Sequence, residues 1–155
     1  MYRSYLLTFV LDAQRFGLKL ETVDRVVRAV AITPLPHAPA NVSGVINFKG
    51  RLVPVLNIRR RLGLPEKELD VSDHLIVAHT AERTMAFIVD AVIGVSACEA
   101  EQFVSSQGIV PGLESVEGIL KLPDGLVLVH DVNRFLSLEE AQSLDAALNC
   151  MFIDA

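Results

Sequence analysis

Val42-Ser-Gly-Val-Ile-Asn-Phe-Lys-Gly-Arg-Leu-Val-Pro-Val-Leu-Asn-Ile-Arg-Arg-Arg-Leu62 is the stretch that decides the fold. Apolar, β-branched runs flank Asn47-Phe48-Lys49-Gly50 and predict two strands joined by a turn, with Gly50 free to take positive φ. Asn57 stands where an N-cap belongs, ahead of about one helical turn over Ile58–Leu62. A shift of 74 residues carries this pattern onto Val116-Glu-Gly-Ile-Leu-Lys-Leu122 and Leu126-Val-Leu-Val-His-Asp-Val-Asn-Arg-Phe-Leu136. Val42, Gly44, Leu52, Val53, Val55, Arg60 and Leu62 fall on identical residues without a gap. Alternation alone would match any two strands. It would not match glycine, Asn/Asp and arginine positions, so the chain contains a repeat.

Outward from this unit the repeat continues at a shift of 69. Leu6-Leu7 falls on Leu75-Ile76, Leu18 to Glu21 on Phe87 to Asp90, and Val23 and Val26 on Val92 and Val95. The second half therefore holds five extra residues between Val95 and Val116. Ser105-Ser106-Gln107-Gly108 and Pro111-Gly112 mark that stretch as a loop. Strands are predicted over Tyr5–Leu11, Arg15–Leu20, Val23–Thr33, Val42–Phe48, Arg51–Asn57, Leu75–His79, Met85–Val89, Val92–Ala97, Val116–Leu122 and Leu126–His130. Asp12-Ala13-Gln14 and Lys121-Leu122-Pro123-Asp124-Gly125 read as further turns, and Asp131 caps a helical turn over Val132–Leu136. One longer helix is expected over 137–149. Ser137 and Glu140 form a capping box there, and Leu138, Ala141, Leu144 and Leu148 make its apolar stripe. The fold class is mainly β: two five-stranded lobes, with repeat halves 5–62 and 74–136 inside one domain, each closing into a barrel to hide its edges. The seam between two lobes is a natural binding place.

Composition narrows the function. Hydrophobic residues make up 51% of the 155, too many for wholesale disorder. Yet no run reaches the roughly 20 apolar residues of a membrane span. The uncharged stretch Ala29 to Phe48 is broken by Pro34, Pro36 and Pro39, and Tyr5–Leu11 lacks a cleavage site and reads as a strand. A cytoplasmic protein is expected, with apolar surface reserved for partners. Cys98 and Cys150 have no CxxC spacing, and a net charge of -5 argues against nucleic acid. His37, His74, His79 and His130 are scattered without metal spacing, no phosphate-binding glycine loop is present, and Asp90 and Asp131 fit turn roles. No catalytic residue, metal or cofactor is predicted. Arg59-Arg60-Arg61 reads as a solvated turn, except that Arg60, matched by Arg134, is given a structural role at the strand-to-helix corner.

The segment Thr33 to Ile58 closely resembles the signature of the CheW family: Pro-x-x-(Val/Ile)-x-Gly-(Val/Ile)-x-Asn, then Gly, then (Ile/Val)-(Val/Leu)-Pro-(Val/Ile) before Asp or Asn. Here it is met by Pro39, Val42, Gly44, Val45, Asn47, Gly50, Val53, Pro54, Val55 and Asn57. The resemblance extends over nearly the whole chain and implies two SH3-like barrels around a shared core. It implies a non-enzymatic, stand-alone adaptor that couples the cytoplasmic tip of chemoreceptors to the regulatory domain of a CheA-like histidine kinase. Such a protein is held at receptor arrays by association, without membrane insertion. The resemblance maps receptor binding onto Val23, Arg25, Val27, Ile46, Asn47 and Lys49, and structural roles onto Gly44, Gly50, Pro54, Asn57 and Arg60. Spaced two apart, Val23, Arg25 and Val27 are expected on one strand face. Plain core is the competing role for the valines, and ordinary turn duty for Asn47 and Lys49. Two positions depart from the family: it usually has Glu at Arg25 and Arg at Lys49. Those departures imply a different partner and an alternative chemosensory pathway. The rival class is a small β-barrel ligand- or nucleic-acid-binding module, which would need stacking aromatics on a basic face; the chain has no Trp and two Tyr.

Overall fold

A computed structural model describes residues 3–28, 30–99, 102–105 and 116–153. The strands are β1 (Arg3–Leu11), β2 (Gln14–Lys19), β3 (Val23–Arg28), β4 (Val42–Phe48), β5 (Arg51–Leu56), β6 (His74–His79), β7 (Thr84–Val89), β8 (Ala91–Glu99), β9 (Phe103–Ser105), β10 (Val116–Leu122) and β11 (Gly125–His130). Two helices, α1 (Ile58–Arg61) and α2 (Leu138–Ile153), complete the main elements. The predicted loop across 106–115 lies outside the described residues.

The strands form two sheets, in the orders β8-β1-β2-β11-β10-β9 and β3-β6-β7-β5-β4. Read along the two orders, every strand but β9 is matched by its repeat partner: β8 with β3, β1 with β6, β2 with β7, β11 with β5, β10 with β4. The mainly β, two-lobed expectation holds, but a repeat half is not a lobe. Each lobe takes one hairpin from the other half, joined by the parallel pairs β2–β11 and β5–β7. Even the irregularities repeat, with a bulge between Val42 and Gly44 on β4 and another between Val116 and Gly118 on β10.

Glycine explains how each lobe closes. A Cβ on Gly44 would lie 2.2 Å from the Thr33 carbonyl oxygen, and one on Gly118 would lie 2.2 Å from the Phe103 ring. Only hydrogen at these positions lets the closing segment cross. Thr33 crosses β4 through paired backbone bonds with Val45 of 2.9 and 2.8 Å, and β9 crosses β10 in the matching place. Because Val45 spends both backbone groups on Thr33, its opposite number Pro54 needs no N–H there.

Three cores result. Ile46, Val53, Val55, Leu75, Val77 and Ala86 fill the β3–β7 lobe, and Leu6, Cys98, Leu120, Val127 and Val129 fill the other. The largest lies between the sheets. Phe9 stacks on Phe16 at 5.9 Å and meets Phe87 at 6.0 Å, while Phe87 meets Phe135 edge-on at 5.4 Å. Leu144 and Ala147 of α2 also enter this layer, so the seam is packed core rather than an open groove.

Several boundaries move. β3 stops at Arg28 instead of Thr33, and among the described residues that follow, Thr33 makes an isolated bridge to Val45 before Pro34, which has no N–H. The short strand β9 has no counterpart among the predicted elements. The capping box forms as predicted, with the Ser137 Oγ accepting from the Glu140 N–H at 3.1 Å and the Ser137 N–H donating to Glu140 at 2.8 Å. The helix continues past Asn149 to Ile153, because no Gly or Pro stops it.

Candidate partner-binding surfaces

Two exposed edge strands, β3 and β8, occupy matching places in the two lobes. On β3 a bulge between Val23 and Arg25 breaks the two-residue alternation. Val23 stands opposite Ala78 and packs into the inter-sheet core, whereas Arg25 stands opposite Val77 and Val27 opposite Leu75, on the face of the lobe interior. The expected common face of Val23, Arg25 and Val27 is therefore wrong for Val23. Arg25 is exposed, while Val27, Ile32 and Phe48 are partly buried against the lobe interior. Asp24, beside Arg25, is turned across to His79, 2.7 Å from its Nδ1.

Of the other sequence-predicted receptor residues, Ile46 is core at 6% exposure. Asn47 accepts the Gly50 N–H on its side-chain oxygen at 2.9 Å, holding the turn. Lys49 and Gly50 both take positive φ, 52° and 80°, the two-residue hairpin geometry whose twist matches that of the strands. Glycine accepts this without strain; Lys49 occupies the first position at a steric cost. Its ammonium lies 5.5 Å from the centre of the Phe48 ring. Thus Arg25, Val27 and the Phe48-Lys49 corner frame one rim of the β3–β7 lobe, and Val23 and Ile46 do not present themselves there.

β8 carries no Lys or Arg, and its one charged residue is the terminal Glu99. Ile93, Val95 and the neighbouring Tyr5 on β1 are each at least half exposed, at 57%, 54% and 50%. Tyr5 stands opposite Ala97, which is also exposed. This edge continues the inter-sheet apolar layer out to solvent.

Between the edges lies a charge cluster that the sequence reading missed. Arg59 donates to Asp12 at 2.8 Å, to the Pro65 carbonyl at 3.0 Å and to both Asp90 oxygens at 2.7 and 2.8 Å. Asp12 sits in the β1–β2 turn of one sheet and Asp90 at the crossing from β7 to β8, so this guanidinium ties the sheets together. Burial would raise the Asp90 carboxyl, but the Asp12 N–H and Arg59 outweigh it and hold its pKa below the ordinary value. Burial likewise opposes the Arg59 charge, yet the two carboxylates leave its pKa raised. Arg61 reaches the Phe135 carbonyl at 3.0 Å and pairs with Glu140, which also engages Asn41. Burial works against the Glu140 charge too; Ser137 and Arg61 prevail and lower its pKa. The solvated-turn expectation for Arg59-Arg60-Arg61 is corrected accordingly. Arg59 and Arg61 are structural, whereas the Arg60 side chain, given that role from the repeat, is the exposed member at 54%. Asn57 does cap α1, accepting the Arg60 N–H at 3.2 Å.

Among the described residues no group of three or more His, Cys, Asp or Glu could hold a metal ion, and no helix is long and apolar enough to cross a membrane.

Comparison with known proteins agrees with this architecture. The CheW-like domain profile matches residues 5–140. A chemotaxis protein CheW of Treponema pallidum is 26% identical over 145 residues, covering 90% of this chain and 85% of that protein. The chemotaxis protein CheW of Thermotoga maritima is 28% identical over 130 residues, covering 84% and 85%. The crystal structure of the scaffolding protein TtCheW from Thermoanaerobacter tengcongensis superposes with a TM-score of 0.82 at 24% identity, over 90% of this chain and 96% of that one.

Proposed function

The chain belongs to the CheW-like domain family, and on that premise we propose that it is a non-enzymatic adaptor coupling chemoreceptor tips to a CheA-type histidine kinase. The observation that carries this proposal is the family match across residues 5–140. Two repeat-related edge strands of opposite character support it. The receptor's helical hairpin lies along the β3 rim, over Val27 and Phe48, with Arg25, Asn47 and Lys49 at its border. Because the seam itself is packed, the hairpin rests on the rim and does not enter between the lobes.

The kinase regulatory domain meets the apolar β8 edge at Tyr5, Ile93 and Val95. Signalling contacts of this kind bury about 800 Å² per partner or less. Holding both partners on one rigid body lets receptor state bias kinase state. The protein works in the cytoplasm, at receptor arrays by association. Arg25 and Lys49 assign it to an alternative chemosensory pathway, such as one governing surface motility.

Affinity purification of the tagged protein from its native cells tests the adaptor role. Recovery of a methyl-accepting receptor together with a CheA-like kinase is expected. Recovery of neither, with a bound small molecule in their place, contradicts it. The pathway assignment fails separately if a standard flagellar receptor tip binds tightly and Arg25→Glu does not improve that binding.

A further inference from the structure

Seven of the 14 Lys and Arg side chains pair with carboxylates among the described residues. Arg15 pairs with Asp124, Arg59 with Asp90, Lys67 with Asp73 and Arg83 with Asp145. Arg61 pairs with Glu140. Arg25, Arg28, Lys49, Arg51 and Lys121 make no ion pair among the described residues, and of these Arg25 and Lys49 stand beside half-buried apolar side chains of the β3–β7 lobe. Asp24 is the immediate neighbour of Arg25. That carboxylate is committed to His79 across the strand pair. Val27, Ile32 and Phe48 are half-sunk against one lobe interior, with Arg25 two residues from Val27 on β3 and the Lys49 ammonium 5.5 Å from the Phe48 ring centre.

Two cations that the fold leaves uncompensated, beside an apolar ledge and in a chain of net charge -5, mark a surface complementary to a particular chemistry. We infer that the segment docking on this rim is an amphipathic helix whose apolar stripe is bordered by carboxylates, and that Arg25 and Lys49 select it. This deepens the receptor-binding proposal above and rests on it. A helix with lysines in those border positions would be rejected by like charge, so the pair sets specificity as well as attraction. Arg28 is also exposed, but it stands opposite His74 on the other face of β3 and takes no part. Arg51, opposite Phe48 on β5, is set apart by the carboxylates of Glu82 and Asp145, with which it lines a groove.

The test uses the full chain and, as probes, the soluble cytoplasmic hairpins of the methyl-accepting receptors encoded in the source genome. Affinity is measured at low and at physiological salt. A hairpin should bind more weakly as salt rises. Arg25→Glu and Lys49→Glu should each weaken it by roughly five- to tenfold, as expected for reversing a charge at a rim contact. Arg28→Glu should change it by less than about twofold. A Glu→Lys change on the hairpin border should restore binding to the Arg25→Glu protein while weakening binding to the unaltered one. If a hairpin binds but Arg25→Glu and Lys49→Glu leave its affinity unchanged or raised, the acidic-helix inference is overturned and the receptor proposal survives. If no hairpin binds, the receptor proposal fails and this inference with it. Binding instead to duplex DNA or phosphatidylglycerol vesicles, lost in Arg25→Glu, would give the rim to another macromolecule and also overturn it.

Discussion

β3 and β8 are the same strand made twice. Each opens one sheet order, each pairs antiparallel with the first strand of a hairpin from the other half, and each carries a bulge. Their sequences, Val23-Asp-Arg-Val-Val-Arg28 and Val92-Ile-Gly-Val-Ser-Ala97, keep the first valine and the valine that follows three residues later. Everything charged on β3 is apolar or small on β8. An edge strand exposes unpaired backbone groups and is normally guarded by charge. β3 is guarded. β8 instead bares Ile93 and Val95, a liability to a lone protein unless a partner covers it. The difference teaches that one duplicated strand can be finished in two ways: under the proposed function, side chains alone make one edge selective by charge and the other adhesive.

The most severe way to break the comparison is at the closing glycines. Gly44→Ala should cost about 3–5 kcal/mol, since its Cβ would meet the Thr33 carbonyl and the stiff Ile32 side chain. Gly118→Ala should be of the same order, because its Cβ would meet the Val104 carbonyl oxygen at 2.7 Å as well as the Phe103 ring. Chemical denaturation reads both, and a loss below about 1 kcal/mol at one glycine alone would show that the two lobes close by different rules. Next comes the joint between the platforms. Arg59→Ala removes a largely buried guanidinium from between two carboxylates that solvent still reaches and should cost about 1–2 kcal/mol. A change below about 0.5 kcal/mol in the same assay would mean that solvent already screens the cluster.

Smaller effects sharpen the contrast. Val95→Asp, at an exposed edge position, should leave stability within about 0.5 kcal/mol yet weaken a kinase regulatory domain at least tenfold, measured by calorimetry. An unaltered affinity would place the kinase contact elsewhere. Acid provides the mildest probe. Asp90 and Glu140 have lowered pKa values in the folded protein, so the stability they contribute is fully present above the ordinary carboxylate value of about 4. It is lost as pH falls through their folded values. Thermal melts should therefore be flat from about pH 7 to 5 and decline below that. A melting temperature that rises on acidification through pH 4 would reverse the assigned sign.

What the sequence disclosed follows from the range of the interactions. Strand positions were legible because alternation is local, and the matched glycines exposed the repeat before any pairing was known. The interleaving was not legible: β5 meets β7 and β2 meets β11 across long stretches of chain, and alternation names no partner. The rim residues show the same limit. Arg25 could be picked out, but one bulge residue moved Val23 to the opposite face, and nothing in Val-Asp-Arg-Val-Val announces a bulge. In Arg59-Arg60-Arg61 the inward Arg59 is set by Asp12 and Asp90, 47 and 31 residues away, and Arg61 by Phe135 and Glu140, 74 and 79 away, so the run alone favoured the wrong arginine.

The central claim is that one rigid chain holds two partners on two separate edges. Affinity purification from native cells should be run in parallel for the unaltered protein, Arg25→Glu and Val95→Asp, with folding checked by melting temperature. The account predicts that the unaltered protein recovers both a receptor and a CheA-like kinase, that Arg25→Glu keeps the kinase and loses most of the receptor, and that Val95→Asp does the reverse. Two folded variants that lose both partners together, or an unaltered protein that recovers neither, would contradict it.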